Sequence, residues 1–291
     1  MRALVLGAGG QLGQELSSEL ARRGHSVEAV AREQLDITVQ EAVDGLIDRR
    51  KPDWIFNAAA YNKVDLAERE PKKAMRVNGF AVRSIAQAAQ RIGAALVHYS
   101  TDHVFDGTKR EASYDEDDTP MPPSAYGVSK LAGEHYARIG CERAWVVRVA
   151  GVFGPAGRLT RHGNFVETVL RKAAEGKQLK VVEDFFSTPT YAVPLAARSI
   201  DLLEKTEPGL YHIGGGETVS WYDYAGRILR LAGVEGDLQP TNRREFVTPA
   251  RRPRHSGLSN AKIESLGLEP MPPLEDAVKD YLERRPPAPA A

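Results

Sequence analysis

Residues 3–13, ALVLGAGGQLG, constrain the fold more than any other stretch of this sequence. The short apolar run from Ala3 to Leu6 reads as a buried strand. It breaks at a glycine turn containing Gly7, Gly9, Gly10 and Gly13. An amphipathic run from Gln11 to Arg23 follows, with Leu12, Leu16 and Leu20 on one face. Strand, glycine turn and helix are the opening of a dinucleotide-binding βαβ unit. Glycines let the backbone approach a pyrophosphate, and the helix N-terminus offers unpaired N–H groups and a partial positive charge. A plain tight turn is the competing reading; the strand before and the helix after favour the phosphate turn.

The pattern that opens the chain then repeats. Strands are expected at 27–30, 54–57, 95–99 and 145–149, with helices at 38–50, 72–92 and 126–139 between them. Such alternation predicts an α/β protein with a Rossmann-type, doubly wound parallel sheet. Ligands on such a sheet lie at the C-terminal ends of the strands, here at 7–13, 32–37, 57–62 and 100–106. Beyond residue 150 the alternation loosens. Helices are expected at 163–175, 191–204, 220–232 and 274–284, and short strands at 179–182 and 210–213. This gives a cofactor domain over 1–150 and a smaller C-terminal α/β substrate-binding part over 151–285, with some segments returning to the first domain. Residues 286–291 read as a disordered tail.

Composition excludes several classes. Lys plus Arg and Asp plus Glu both number 39 in 291 residues, so no net field draws the chain to nucleic acid or a membrane surface. The lone Cys141 cannot form an internal disulfide, and no signal peptide or membrane-length apolar run is evident. A cytoplasmic protein is the expectation. His103 has no partner at ligand spacing, so no metal site is expected.

Two stretches carry reactive chemistry. Tyr126 and Lys130, in YGVSK, fall one turn apart on a predicted helix. A phenol is a poor acid or base at neutral pH, and a cation beside it is expected to lower its pKa. Tyr126 can then exchange a proton with a substrate oxygen while Lys130 tunes it and holds a cofactor ribose. Thr101, at the end of the strand over 95–99, can hydrogen-bond the same oxygen. Arg32, just past the second strand, suits the 2′-phosphate of NADPH, with NADH as the other admissible cofactor.

The glycine turn, NAAAYNKVDLAE (57–68), STDHVFDG (100–107) and YGVSK (126–130) together resemble the extended short-chain dehydrogenase/reductase superfamily. Within it the chain is most similar to the dTDP-4-dehydrorhamnose reductase family, and the stretches at 35–38, 186–192, 209–225 and 251–263 agree with that branch. The resemblance implies NAD(P)H-dependent reduction of a 4-keto group on a dTDP-linked 6-deoxysugar, in the carbohydrate biosynthesis that yields dTDP-L-rhamnose. By position, Tyr126 would protonate O4, Lys130 would bind ribose, and Thr101 and Asp102 would touch the sugar. Gly7, Gly10, Gln11, Leu12 and Gly13 would lie along the pyrophosphate, and Asp36 and Ile37 would flank the adenine. Ala60, Tyr61, Asn62 and Tyr99 would line the path to the nicotinamide. Arg252, in a basic group with Arg243, Arg244, Arg251 and Arg254, suits the sugar-nucleotide diphosphate.

The chain departs from that family at three places. Members carry a tryptophan after the fifth strand that packs on the sugar; RVAGVFGP (148–155) has Gly151 there, so that aromatic surface is expected to be lost. Some members form a dimer bridged by Mg²⁺ through glutamates. Glu15 matches one ligand but Val193 replaces another, so a Mg²⁺-bridged dimer is not expected, while a homodimer of another kind stays open. The segment over 154–165 is basic and glycine-rich, either a cover for the site or a linker. Three alternatives stay open: a reductase or epimerase of another keto-deoxysugar nucleotide, a dehydratase, and a non-catalytic relative like the regulatory subunit of methionine adenosyltransferase. Thr101-Asp102-His103 lacks the glutamate of a dehydratase, and epimerases have a small residue where Asp102 stands. The expected partner is a small-molecule nucleotide sugar.

Overall fold

The computed structural model describes residues 1–110, 112–159 and 163–286. Six strands form one parallel sheet: β1 (Arg2–Leu6), β2 (Ser26–Val30), β3 (Trp54–Asn57), β4 (Ala95–Thr101), β5 (Ala144–Val149) and β8 (Gly209–His212). Their order is β2-β1-β3-β4-β5-β8, so the winding reverses between β1 and β3. A crevice opens at the carboxyl ends of strands at such a reversal. β3, β4 and β5 are buried along their whole length, as expected of strands covered on both faces, and this is why they read as unbroken apolar runs.

Helices cover both faces. On one, Leu12, Leu16 and Leu20 of α1 (Gln11–Arg22) pack against the sheet beside α8 (Ala192–Lys205). On the other lie α2 (Gln40–Arg50), α5 (Ala81–Ile92) and α6 (Ala125–Gly140). The single helix expected over 72–92 is three consecutive pieces: α4 (Pro71–Met75), a π-helical turn (Arg76–Phe80) and α5. The wide turn matters because π-bulges recur at functional sites. A short helix that periodicity does not reveal, α3 (Val64–Arg69), precedes them.

The C-terminal part has its own core. It is built from α7 (Phe165–Ala174), β6 (Leu179–Val182), α9 (Trp221–Ala232) and α11 (Leu274–Arg284), around Phe153, Tyr224 and Tyr281. β10 (Leu238–Thr241) pairs parallel with β6, and β7 (Phe186–Ser187) pairs antiparallel with β9 (Val219–Ser220). β8 and Ile263 of α10 (Ala261–Ser265) belong instead to the main sheet and its core. Both ends of the segment over 154–165 are tied to α1: Gln11 Oε1 accepts from the Gly154 amide and from Asn164 Nδ2, each at 2.9 Å. Within it, 155–159 form a 3-10 helix, and 160–162 lie outside the described residues, as does the expected tail beyond Pro286. Among the described residues no helix is long and apolar enough to cross a membrane.

Candidate active site

Two features of β4 and α6 bring the reactive side chains together. β4 ends at Thr101, whose Oγ1 accepts from the His103 amide at 3.2 Å and so caps a 3-10 turn over Asp102–Val104. α6 starts after Ser124, whose Oγ accepts from the Gly127 amide at 3.2 Å. The first turn of α6 rests directly on the 3-10 turn: a Cβ on Gly127 would lie 2.3 Å from the His103 carbonyl. Tyr126 is thereby set beside Thr101, close enough for the Thr101 hydroxyl to act on the phenol. One turn later Lys130, itself buried, donates from Nζ to the Tyr99 carbonyl at 2.5 Å.

The electrostatics differ from expectation in one respect. Burial pushes the Tyr126 phenol up to about 12; the neighbouring Thr101 hydroxyl opposes, and Asp102 raises it further. Lys130 does not bring the phenol down. Its ammonium is turned to the Tyr99 carbonyl, and burial pulls its own pKa down to about 8, against the pull of Glu134. The site therefore holds a firmly protonated phenol and an ammonium that titrates near neutrality.

Asp102 is almost fully buried, and hydroxyls surround its carboxylate. Oδ1 accepts from Thr101 Oγ1 at 3.1 Å, and Oδ2 from Ser256 Oγ at 2.6 Å and Ser187 Oγ at 3.3 Å. It thus ties the C-terminal segments to the end of β4. Both serines lie in stretches that carry the family resemblance, 186–192 and 251–263, but no local spacing assigns them this contact, which is distant along the chain.

The glycine turn lies across the sheet reversal from this group. Gly7 has φ +82°, and a Cβ there would fall 2.6 Å from the Ala59 amide nitrogen. A Cβ on Gly13 would fall 2.3 Å from the Gly7 carbonyl, so only glycine lets α1 pack this close to the turn. α1 begins at Gly10 with no side-chain cap, leaving its first N–H groups free for an anion. A cavity of about 410 Å³ opens there, lined by Gly7, Gly10, Arg32, Asp36, Ile37 and the 58–62 loop. Arg76 and Lys73 join Arg32 on its wall; helical periodicity did not single them out. The unfilled glycine cradle, the uncapped helix and the added cations fit a phosphate-rich dinucleotide.

The remaining expected residues divide. Ala60, Tyr61 and Asn62 line the cavity, and Asn78 of the π-turn clamps their loop, accepting from the Tyr61 amide at 2.8 Å and donating to its carbonyl at 2.9 Å. Asp36 lines it too, but its carboxylate accepts from the Thr38 amide and hydroxyl at 2.9 and 2.8 Å. The Gln11 side chain is turned to Gly154 and Asn164, the Leu12 side chain is in the core, and neither is part of the cavity wall. The Tyr99 ring also lies in the core; only its carbonyl reaches Lys130. Arg252 pairs with both oxygens of Asp65, at 3.1 and 2.8 Å, while lining two further cavities. One, of about 330 Å³, runs from Asp102 to α7 and β6; the other, of about 550 Å³, includes Arg110, Arg243, Arg251 and Arg254.

A dinucleotide cradle at the sheet reversal, facing a threonine, tyrosine and lysine set on β4 and α6, defines an extended short-chain dehydrogenase/reductase. The chain belongs to the family described as RmlD substrate binding domain, whose model matches residues 1–286. It is 37% identical over 284 residues to the spore coat polysaccharide biosynthesis protein SpsK of Bacillus subtilis, covering 98% of each. It is 38% identical over 289 residues to the dTDP-4-dehydrorhamnose reductase of Burkholderia thailandensis, covering 92% of this chain and 94% of that one. Among solved structures, the dTDP-4-dehydrorhamnose reductase of Bacillus anthracis in complex with NADP superposes with a TM-score of 0.91 at 32% identity, covering 97% of this chain and 98% of that one.

Proposed function

We infer that this chain is a dTDP-4-dehydrorhamnose reductase, which reduces the 4-keto group of dTDP-4-dehydro-L-rhamnose to give dTDP-L-rhamnose. The observation that carries this reading is the Thr101–Tyr126 hydroxyl pair beside Asp102, a residue that lines the 330 Å³ cavity. Both hydroxyls can reach one oxygen. Bound in the cradle, NAD(P)H supplies the hydride that reduces C4. Thr101 and Tyr126 hold O4 by hydrogen bonds and polarise the carbonyl. Tyr126 then gives O4 its phenolic proton. An alkoxide is a far stronger base than a phenolate, so a phenol raised to about 12 still yields its proton once charge reaches O4. A reductase needs this protonated acid at the outset, which explains why a raised phenol suits the site. Lys130, turned from the phenol to the Tyr99 carbonyl, offers its positive charge to the cofactor ribose. His103 stands where a dehydratase would need a carboxylate base, which weighs against water loss.

In this reading residues 1–150 hold the cofactor and 151–285 the sugar nucleotide, whose diphosphate faces the arginine-lined cavity. Arg32 and Arg76 select NADPH through its 2′-phosphate. Replacing both by serine is expected to raise the KM for NADPH by about 10–100-fold and to leave that for NADH nearly unchanged; equal effects on both cofactors would remove these residues from the selection. Lys130 works as a cation, so kcat/KM should fall as pH rises through about 8 and hold steady just below it. A pH–rate profile flat through that range would exclude this role. The deciding experiment is cofactor oxidation with dTDP-4-dehydro-L-rhamnose formed in situ and the sugar product identified. Turnover to dTDP-L-rhamnose establishes the reading; cofactor binding without turnover of this substrate defeats it.

A further inference from the structure

Gly151 removes an aromatic surface from the segment after β5, and the fold brings another to the same place. Gly151 has φ +48°, a conformation that a side chain disfavours. A Cβ built on it would lie 3.4 Å from Cη2 and 3.8 Å from Cζ2 of Trp221, the first residue of α9. The indole is half-buried, with its edge against Phe165 at 4.7 Å between ring centres. It lines the same cavity as Asp102, Ser187 and Ser256.

Two connections fix its level relative to the reactive hydroxyls. Thr101 of β4 is in register with Val149 of β5, and Gly151 lies two residues further along. Trp221 follows directly on β9, which pairs with β7, and β7 carries the Ser187 that bonds Asp102. The indole is thus held by short-range structure in the cavity that Asp102 and Ser187 line. Phe246 and the arginines reach the cavity from the 243–254 segment instead.

We propose that Trp221 is the specificity-determining residue for the sugar, its indole beside the bare backbone of Gly151 forming the surface on which the pyranose ring packs. The proposal rests on the reductase reading above. The C–H face of a pyranose is apolar, and an indole is the largest flat apolar surface a protein can offer it. Gly151 and Trp221 lie side by side, so backbone rather than a second side chain borders the indole there.

The test compares Trp221→Ala and Trp221→Phe with the wild type. Alanine is expected to raise the KM for dTDP-4-dehydro-L-rhamnose roughly tenfold, with phenylalanine recovering most of the loss. The dissociation constants for NADPH and for dTDP alone should not change. A KM that does not move, or dTDP binding weakened as much as that of the sugar nucleotide, overturns the proposal; the second result would put the indole on the nucleoside. A measurement on the wild type covers the case of a variant that does not fold. Of the three tryptophans, Trp54 and Trp145 are only 5% and 4% exposed, so ligand-dependent fluorescence reports chiefly Trp221. dTDP-L-rhamnose should quench it and dTDP should not; equal responses overturn the assignment. Failure of the wild type to reduce the keto sugar defeats the reductase reading, whereas turnover with a KM insensitive to residue 221 defeats only this inference.

Discussion

Tyr126→Phe is expected to lower kcat by about 10²–10⁴-fold while NADPH binds as before. The substitution removes one oxygen and keeps the ring, whose packing against His103 at 5.6 Å between ring centres does not involve the hydroxyl. It should therefore leave the first turn of α6 and the cofactor cradle intact. Two losses follow at once: O4 loses one of its two hydrogen bonds, and the reduced oxygen loses its proton donor. Thr101 remains, but its hydroxyl also hydrogen-bonds Asp102 Oδ1, and an aliphatic alcohol is a weaker acid than a phenol. Single-turnover oxidation of bound NADPH separates this from a binding defect. A variant that keeps a near-native hydride rate would show that the proton comes from elsewhere, and the assignment of Tyr126 would fall. The pH dependence points the same way. A phenol near 12 stays protonated across the working range, so the alkaline decline expected near 8 belongs to Lys130 and not to Tyr126.

The residues that carry chemistry through local spacing were legible, and those that act through distant contacts were not. Tyr126 and Lys130 share a helix face and could be paired by eye. β3, with both faces covered, was readable to the residue because parallel strands of this kind are continuous apolar runs. The sign of the Tyr126 shift was not readable, because it depends on burial and on where Lys130 Nζ points. The π-turn that carries Asn78 into the 58–62 loop runs without a break between α4 and α5, so periodicity passed over it despite its Asn-Gly pair. α3, α10 and the two-residue strands β7 and β9 are too short for any period to register. For Gln11 and Tyr99 the resemblance places the residue beside the cofactor, and only the fold shows where the side chain goes: Gln11 to the 154–164 segment, the Tyr99 ring into the core. Trp221 meets Gly151 only because β9 and α9 fold back over the end of β5.

The largest effect on stability is expected at Glu134, which is paired with Arg148 in the core. Both are nearly fully buried. Arg148 donates Nε to Glu134 Oε1 at 2.9 Å and Nη2 to Oε2 at 2.8 Å, while Ser100 donates to Oε1 at 2.5 Å. The guanidinium stacks 4.9 Å above the Phe105 ring. Burial, with Arg148 adding to it, holds His212 neutral, pushing it down to about 3. Glu134→Leu strands that guanidinium without a counter-charge, at a cost of about 3–5 kcal/mol, and Tm should fall by about 10 °C. Adding Arg148→Met removes the stranded charge, and most of the lost stability should return, since desolvating an ion pair consumes much of what its attraction supplies. A double variant that melts as low as the single one would refute this account. Activity should part company with stability. Glu134 lies one helical turn beyond Lys130, and its charge opposes the burial that draws the ammonium down to about 8. Without that carboxylate Lys130 titrates lower still, so the double variant should be folded yet lose kcat/KM at a more acidic pH than the wild type. Thermal melts and pH–rate profiles of the three proteins distinguish the two effects. Recovery of stability without recovery of the alkaline limb would show that the pair is kept for the charge it sets beside Lys130, a role that hydrophobic packing of equal volume cannot fill.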